Sequence, residues 1–210
     1  MTTTKMLSSE DPNAINLAKA LIQEGGLIAF PTDTVYGLAA DPFNPGALNK
    51  IYMAKERSAE KALPVLIANM NQLKQFVPIV PEQAKHLAQA FWPGPLTLVM
   101  DKTPDLPPEL TTTPTIGLRM PDLDFSLRLL CATGPLATTS ANISNNSNTR
   151  TADEVLAQLD SRVDLILDGG QTPGMIPSTV LEVSQSNLRI LRQGPISLEE
   201  IQAVLKSPKN

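Results

Sequence analysis

The sequence predicts an α/β protein, a three-layer domain on a mixed β-sheet spanning residues 1–210 with its core at about 11–206. Two observations carry this. Short apolar runs of strand length alternate with longer capped stretches of helical spacing, and some strand runs are adjacent while others are separated by crossovers. In addition, 210 residues with 42% apolar and 18% charged side chains suit one hydrophobic core, and neither an internal repeat nor a long linker divides the chain.

The elements follow in order. Asp11-Pro12 has the form of an N-cap and first helical position, and Ile15, Ala18, Leu21 and Ile22 recur at helical spacing until Gly25-Gly26. Leu27–Phe30 is a short buried strand that runs into an irregular loop, Pro31 to Leu38. Asn44-Pro45 opens a helix through Leu48, Ile51 and Ala54, and Leu63–Ala68 is the next strand. Asn69 and Pro81 start two further helices, the second ending at Phe91-Trp92-Pro93-Gly94-Pro95. Strands are predicted at Leu96–Met100 and Thr115–Arg119, a helix at Asp124–Ala132, and a short strand at Leu136–Thr138. A polar tract, Ser144–Thr149, precedes a capping box formed by Thr151 and Glu154. Strands at Asp164–Leu167, Thr179–Val183 and Leu188–Leu191 follow, and Ser197 with Glu200 caps a last helix.

Composition excludes several classes of function. The net charge of −4 is the wrong sign for a broad nucleic-acid grip, so clustered cations point to a confined anion. One Cys and one His leave no disulfide framework and almost no route to a zinc site. No apolar run reaches bilayer-spanning length, and the N-terminal MTTTKMLSSE lacks a signal-peptide core, so a cytoplasmic protein without membrane contact is expected.

Against that acidic background Lys55, Arg57 and Lys61 stand close together just after a helix. A guanidinium offers a planar fork to phosphate oxygens, and an ammonium a mobile point charge. The plain alternative is a solvated helix end whose cations complement the dipole. Both Lys55 and Arg57 are expected to bend into one pocket from a frayed terminus. Arg119 and Arg192 each end an apolar strand, where ligands of open α/β sheets bind; surface ion pairs are the alternative. Thr139-Ser140-Ala141-Asn142 and Ser178-Thr179 add hydroxyls and an amide beside strands, which orient polar ligands or simply make turns.

Rival motifs are weak. Ser58-Ala59-Glu60-Lys61 has the Ser-x-x-Lys spacing of penicillin-recognising enzymes without their other motifs, and both Walker and Gly-x-Gly-x-x-Gly loops are missing. His86 is read as structural, and Cys131, among Leu129, Leu130 and Ala132, as core.

Taken together, Gly26–Ala40, Lys55-Glu56-Arg57 through Lys61 and Leu63, Trp92-Pro93-Gly94-Pro95-Leu96-Thr97, Gly117-Leu118-Arg119-Met120-Pro121, Thr139-Ser140-Ala141-Asn142 and Leu191-Arg192-Gln193-Gly194 resemble the YrdC/TsaC family of threonylcarbamoyl-AMP synthases. The pieces occur in the family's order and cover about residues 20–197. The resemblance implies a twisted mixed sheet around a basic central cavity. It also implies condensation of L-threonine, bicarbonate or carbon dioxide, and ATP to L-threonylcarbamoyl-AMP and pyrophosphate. The implied cofactor is Mg²⁺ arriving with ATP, and no protein side chain is expected to ligate it. The product would pass to a tRNA threonylcarbamoyl-transfer complex, with direct tRNA binding weak or absent.

Carried over by position, Thr32, Thr34 and Tyr36 would line the threonine side. Lys55, Arg57 and Lys61 would hold the threonine carboxylate and the phosphates and stabilise charge, with no nucleophile. Arg119, Thr139, Ser140 and Asn142 would contact nucleotide and phosphate, and Ser178 with Arg192 the nucleotide end. The chain departs from the family at Ser58, where proline is usual, at Ala62 and at Asn145; none of these removes a charged group, though two loops change in flexibility. Its length resembles the short single-domain form. Two other functions compete with this one: an RNA-binding module, disfavoured by the acidic charge and only 4% aromatic residues, and a carbamoyl-transferring relative, whose longer chains carry zinc-binding cysteines.

Overall fold

Side-chain direction alternates with period two along the strands and sorts their residues between two cores, one on each face of a single sheet. The computed structural model describes residues 3–58, 60–183 and 188–206. In chain order the elements are β1 (Lys5–Ser8), α1 (Ala14–Gln23), β2 (Ile28–Phe30), β3 (Gly37–Ala40), α2 (Pro45–Lys55), β4 (Val65–Leu66), α3 (Met70–Leu73), α4 (Glu82–Phe91), β5 (Leu96–Asp101), β6 (Thr115–Arg119), α5 (Asp124–Thr133), β7 (Leu136–Ser140), α6 (Ala152–Leu159), β8 (Leu165–Asp168), β9 (Thr179–Val183), β10 (Leu188–Arg192) and α7 (Leu198–Lys206).

The sheet order is β1-β8-β2-β3-β7-β4-β6-β5-β9-β10. Pairings are mixed: β1/β8, β2/β8, β4/β6 and β5/β9 run parallel, and β2/β3, β3/β7, β4/β7, β5/β6 and β9/β10 antiparallel. On one face Ala29, Leu38, Val65, Leu98, Leu118, Ala137, Ile166 and Leu181 pack with apolar residues of α2, α4, α6 and α7. On the other, Ile28, Phe30, Ala39, Leu66, Leu136, Leu165 and Leu167 pack with α1 and α5. Each fully buried Val, Leu, Ile or Phe among these contributes about 1.5–3 kcal/mol relative to exposure. The three-layer mixed α/β architecture expected from the sequence is therefore present.

The helix ends follow their capping residues. Asn44 Oδ1 accepts from the Ala47 amide, Asn69 Oδ1 from Asn71 and Gln72, and Thr151 Oγ1 from Glu154. Ser197 and Glu200 close a reciprocal box. At α1 the expected Asp11 cap is displaced: Asp11 accepts from the Asn13 amide in a turn and the helix begins at Ala14. Two strands are present that the sequence does not announce. β1 is half-buried and polar at both ends, with no continuous apolar run. β3, whose residues are Gly, Leu, Ala and Ala, has little strand propensity and is held by β2 and β7 on its two sides. The predicted strand Leu63–Ala68 contracts to Val65–Leu66, and Leu136–Thr138 extends to Ser140. Cys131, expected in the core, is exposed on α5.

Candidate active site

Helices α1 and α5 cover only part of their face of the sheet. Beyond them the same face of β6, β5, β9 and β10 is open, and it forms the floor of a cavity of about 480 Å³, within the range of small-ligand sites. Period two explains the lining. Leu96, Leu98, Met100, Ile116, Leu118 and Leu181 point into the covered core, so Thr97, Val99, Thr115, Gly117, Arg119, Val180 and Glu182 point into the cavity. The walls come from Thr32 and Thr34–Gly37, from Arg57, Ala62, Pro64 and Leu66, from Thr138–Ser140 and from Pro177-Ser178.

Four arginines line it: Arg57, Arg119 and Arg192 from separate elements, and Arg189, which is paired with Glu182. Arg119, at the end of β6, is 5% exposed and gripped on three sides. Its Nε donates to the Gly94 carbonyl at 3.0 Å, Nη1 to Thr34 Oγ1 at 3.0 Å, and Nη2 to the Asp33 carboxylate. The Trp92–Pro95 segment thus serves to present one carbonyl to Arg119.

Arg192 is aimed by a bulge. In β10, Ile190 lies opposite Leu181 but Arg192, not Leu191, lies opposite Val180. The extra residue puts both Leu191 and Arg192 on the cavity side. Arg192 Nε and Nη2 then donate to the Ser178 carbonyl at 3.1 and 2.9 Å, and Nη2 also reaches Ser178 Oγ, which pairs with Thr97 Oγ1 at 2.8 Å. Gly194 makes this turn possible: a Cβ there would lie 2.3 Å from the Thr179 nitrogen.

Arg57 follows Glu56, whose left-handed backbone (φ 52°) ends α2 and turns the chain. Its Nη2 donates to the Ala62 carbonyl at 3.1 Å, while buried Nε has no partner. Burial holds the Arg57 guanidinium below its ordinary range. Desolvation, then Arg119 and Arg57, does the same to Arg192. A guanidinium depressed by two others across a shared hollow marks a place that suits an anion.

The structure therefore brings Thr32, Thr34, Tyr36, Arg57, Arg119, Thr139, Ser140, Ser178 and Arg192 to one cavity. Three other candidates are placed elsewhere. Lys55 is 1% exposed and is not part of the cavity lining, its Nζ donating to the Ser140 and Asn142 carbonyls at 2.5 Å each. The αL turn at Glu56 sends Lys55 and Arg57 to different places, so the expected shared bend does not occur. Lys61 is exposed, because Tyr52 Oη and Arg57 Nη2 hold the carbonyls of Lys61 and Ala62 and its side chain lies outside the cavity lining. Ala59, in the same loop, lies outside the described residues. Asn142 is buried with its amide used locally: Nδ2 donates to the Ile143 and Asn146 carbonyls, and Oδ1 accepts from Ser140 Oγ.

Tyr36 borders the cavity but its hydroxyl is engaged elsewhere. Its hydroxyl donates to the Gly170 carbonyl at 2.8 Å and accepts from the Gly169 amide. Burial, with Asp168 adding, pushes that hydroxyl up to about 12, so it is no acid or base at neutral pH. Sequence reasoning overlooks Asp33 and Thr97. Thr97 has a readable signal, being the polar residue that alternates with Leu96 and Leu98; Asp33 has none beyond its place beside Thr32 and Thr34.

Fold and cavity define an α/β protein with an arginine-lined pocket that suits an anion. The family model Sua5_yciO_yrdC, described as telomere recombination, matches residues 20–194, and the chain belongs to this Sua5/YciO/YrdC family. It is similar to a threonylcarbamoyl-AMP synthase of Bacillus subtilis (strain 168), 42% identical over 205 residues that make up 96% of this chain and 59% of that protein. Among solved structures, Pyrococcus abyssi Sua5 complexed with L-threonine superposes with a TM-score of 0.90 at 36% identity, over 98% of this chain and 61% of that one. Escherichia coli YciO gives 0.83 at 25% identity, over 96% and 100%. The chain thus spans about three-fifths of the first two relatives' length.

Proposed function

We propose that this chain is an L-threonylcarbamoyladenylate synthase, a nucleotidyltransferase that joins L-threonine, carbon dioxide or bicarbonate, and ATP. The observation that carries the reading is the convergence of Arg57, Arg119 and Arg192 with a hydroxyl-rich wall on one cavity, in a family whose P. abyssi member has been solved with L-threonine. The B. subtilis relative carries the synthase name.

The threonine amine adds to carbon dioxide and loses a proton, giving a carbamate. A carbamate oxygen attacks the α-phosphorus of ATP in line, the bond from that phosphorus to the bridging oxygen breaks, and pyrophosphate leaves. Such transfers depend on alignment and on stabilising charge. Arg119, immobilised by Gly94, Thr34 and Asp33, supplies a cation whose direction is fixed before the ligand arrives. Arg57, with its unpartnered Nε, and Arg192 supply two more. Thr139 and Ser140 orient polar groups. Among the described residues no group of three or more His, Cys, Asp or Glu could hold a metal. The carboxylates at hand are already paired, Asp33 with Arg119 and Glu182 with Arg189. This donor set fits Mg²⁺ bound to phosphate oxygens and water rather than to a protein cage. When bound that way, the ion would screen triphosphate charge.

The product would feed a tRNA threonylcarbamoyl-transfer reaction, in keeping with a net charge of −4 that disfavours direct tRNA binding. Among the described residues no helix is long and apolar enough to cross a membrane. The test is incubation with ATP, L-threonine and labelled bicarbonate. Stoichiometric pyrophosphate and label retained in an adenylate are expected; ATP turnover independent of threonine would overturn the reading. Arg57→Ala is expected to lower the rate by roughly 100-fold while the folded state persists, checked by pyrophosphate release and circular dichroism.

A further inference from the structure

We infer that Lys55 is a positioning residue, a clip that fixes the distance between Arg57 and Ser140 without touching the ligand. The inference rests on the proposed reading of the cavity and adds a role for a cation outside it. Lys55 ends α2, two residues before Arg57, and its Nζ reaches across to the turn that leaves β7. There it donates to the carbonyls of Ser140 and Asn142 at 2.5 Å each. The Ser144 amide returns a bond to the Lys55 carbonyl at 2.8 Å. Main chain and side chain of one residue thus hold both ends of the same turn.

The turn is tied elsewhere as well, the Ala141 amide donating to the Tyr36 carbonyl at 2.8 Å and the Ile143 amide to Gln158 Oε1 at 3.1 Å, but neither bond reaches α2. Ser140 Oγ donates to Asn142 Oδ1, and Asn142 Nδ2 donates to Ile143 and Asn146 carbonyls. These bonds shape the turn internally and leave its placement against α2 to Lys55. Thr149 Oγ1 adds one bond from behind, to the Ala141 carbonyl. A lysine suits this position because its stem is long enough to cross between elements and its ammonium carries several donors at one atom. Arg57 and Ser140 both line the cavity, so a loosened clip would misplace two walls together.

The test uses the wild-type protein first. Lysines are acylated with N-hydroxysuccinimidyl acetate, with and without ATP and threonine, and quantified by peptide mass spectrometry. Lys61 is expected to react readily, and Lys55 more than about tenfold more slowly at a rate that ligand does not change. Acylation of Lys55 as fast as Lys61, with shielding by ATP, would overturn the inference by showing a lysine open to the ligand. This result is independent of turnover, so it stands apart from any failure of the synthase reading. The second arm compares Lys55→Met and Lys55→Gln. Turnover is expected to fall by roughly 30-fold or more in the methionine variant, while the Kd for ATP changes less than about threefold. Partial recovery is expected with glutamine, which keeps a donor. Loss of ATP affinity matching the loss of turnover would instead make Lys55 a ligand contact.

Discussion

At the scale of single residues, the site is built from buried charges whose cost is offset locally. Arg119 and Asp33 have side chains only 6% and 10% exposed. Removing one partner of such a pair strands the other and costs about 3–5 kcal/mol. Asp33→Asn keeps the shape and an acceptor but loses the charge. It is expected to destabilise the protein by about 2 kcal/mol, and to lower turnover by roughly tenfold beyond the stability loss because Arg119 is no longer held. Urea unfolding and pyrophosphate release measure the two effects separately. Lys55 gives a pH signature. Burial, then Arg57, lowers its Nζ from 10.5 to about 7. Below pH 7 folded and unfolded chains both carry the proton and the burial cost is present in full. Between about 7 and 10.5 the folded chain releases it first, so stability contributed by this site rises with pH. Lys55→Met is expected to lose that rise, a difference on the order of a few kcal/mol between pH 7 and pH 10 in paired denaturant titrations.

Elements turn these residues toward one another, and here the sequence is legible to an uneven depth. Alternation in Leu96–Met100 and Thr179–Val183 shows two-faced strands, and Asn44, Asn69, Thr151 and Ser197 mark helix starts that the structure reproduces. The β3 strand is invisible in the sequence, because its Gly-Leu-Ala-Ala run owes its form to neighbours distant in the chain. The bulge in β10 is equally hidden: strict alternation would place Arg192 with Ile190 on the core side, and only the pairing to Val180 shows otherwise. This has a testable consequence. Deleting Leu191 removes the extra residue and leaves Arg192 opposite Val180 in regular register. The deletion variant is expected to bind ATP within about fivefold of the parent, measured by calorimetry. A loss as large as that of Arg192→Ala would show that the bulge itself, rather than the facing it restores, supports the site.

Across the whole molecule, the cavity exists because helices cover one face of the sheet broadly and the other only in part. Which strands lie beneath the gap depends on an order, β7-β4-β6-β5-β9-β10, that joins segments far apart in sequence. A linear reading could therefore nominate Arg57, Arg119 and Arg192 as cations and still misplace Lys55 and Lys61, since side chains near in sequence need not face the same hollow. The same convergence sets stability against function. A chain of net charge −4 gathers mutually repelling guanidiniums around an empty volume, and that repulsion weighs on the unliganded fold until an anion answers it. Arg192 stands at the exposed edge of this group and feels both Arg119 and Arg57. Arg192→Gln removes repulsion and keeps a donor for the Ser178 carbonyl, so without ligand its Tm is expected to equal or exceed the parent's. Saturating ATP, at about 100 times Kd, stabilises the parent by about 2.7 kcal/mol, or roughly 5–10 °C for a chain of this size. The variant is expected to lose most of that shift at the same ATP concentration. Thermal scans with and without ATP read both halves, and a variant that melts lower without ATP yet keeps the full shift would place Arg192 in the scaffold rather than at the anion.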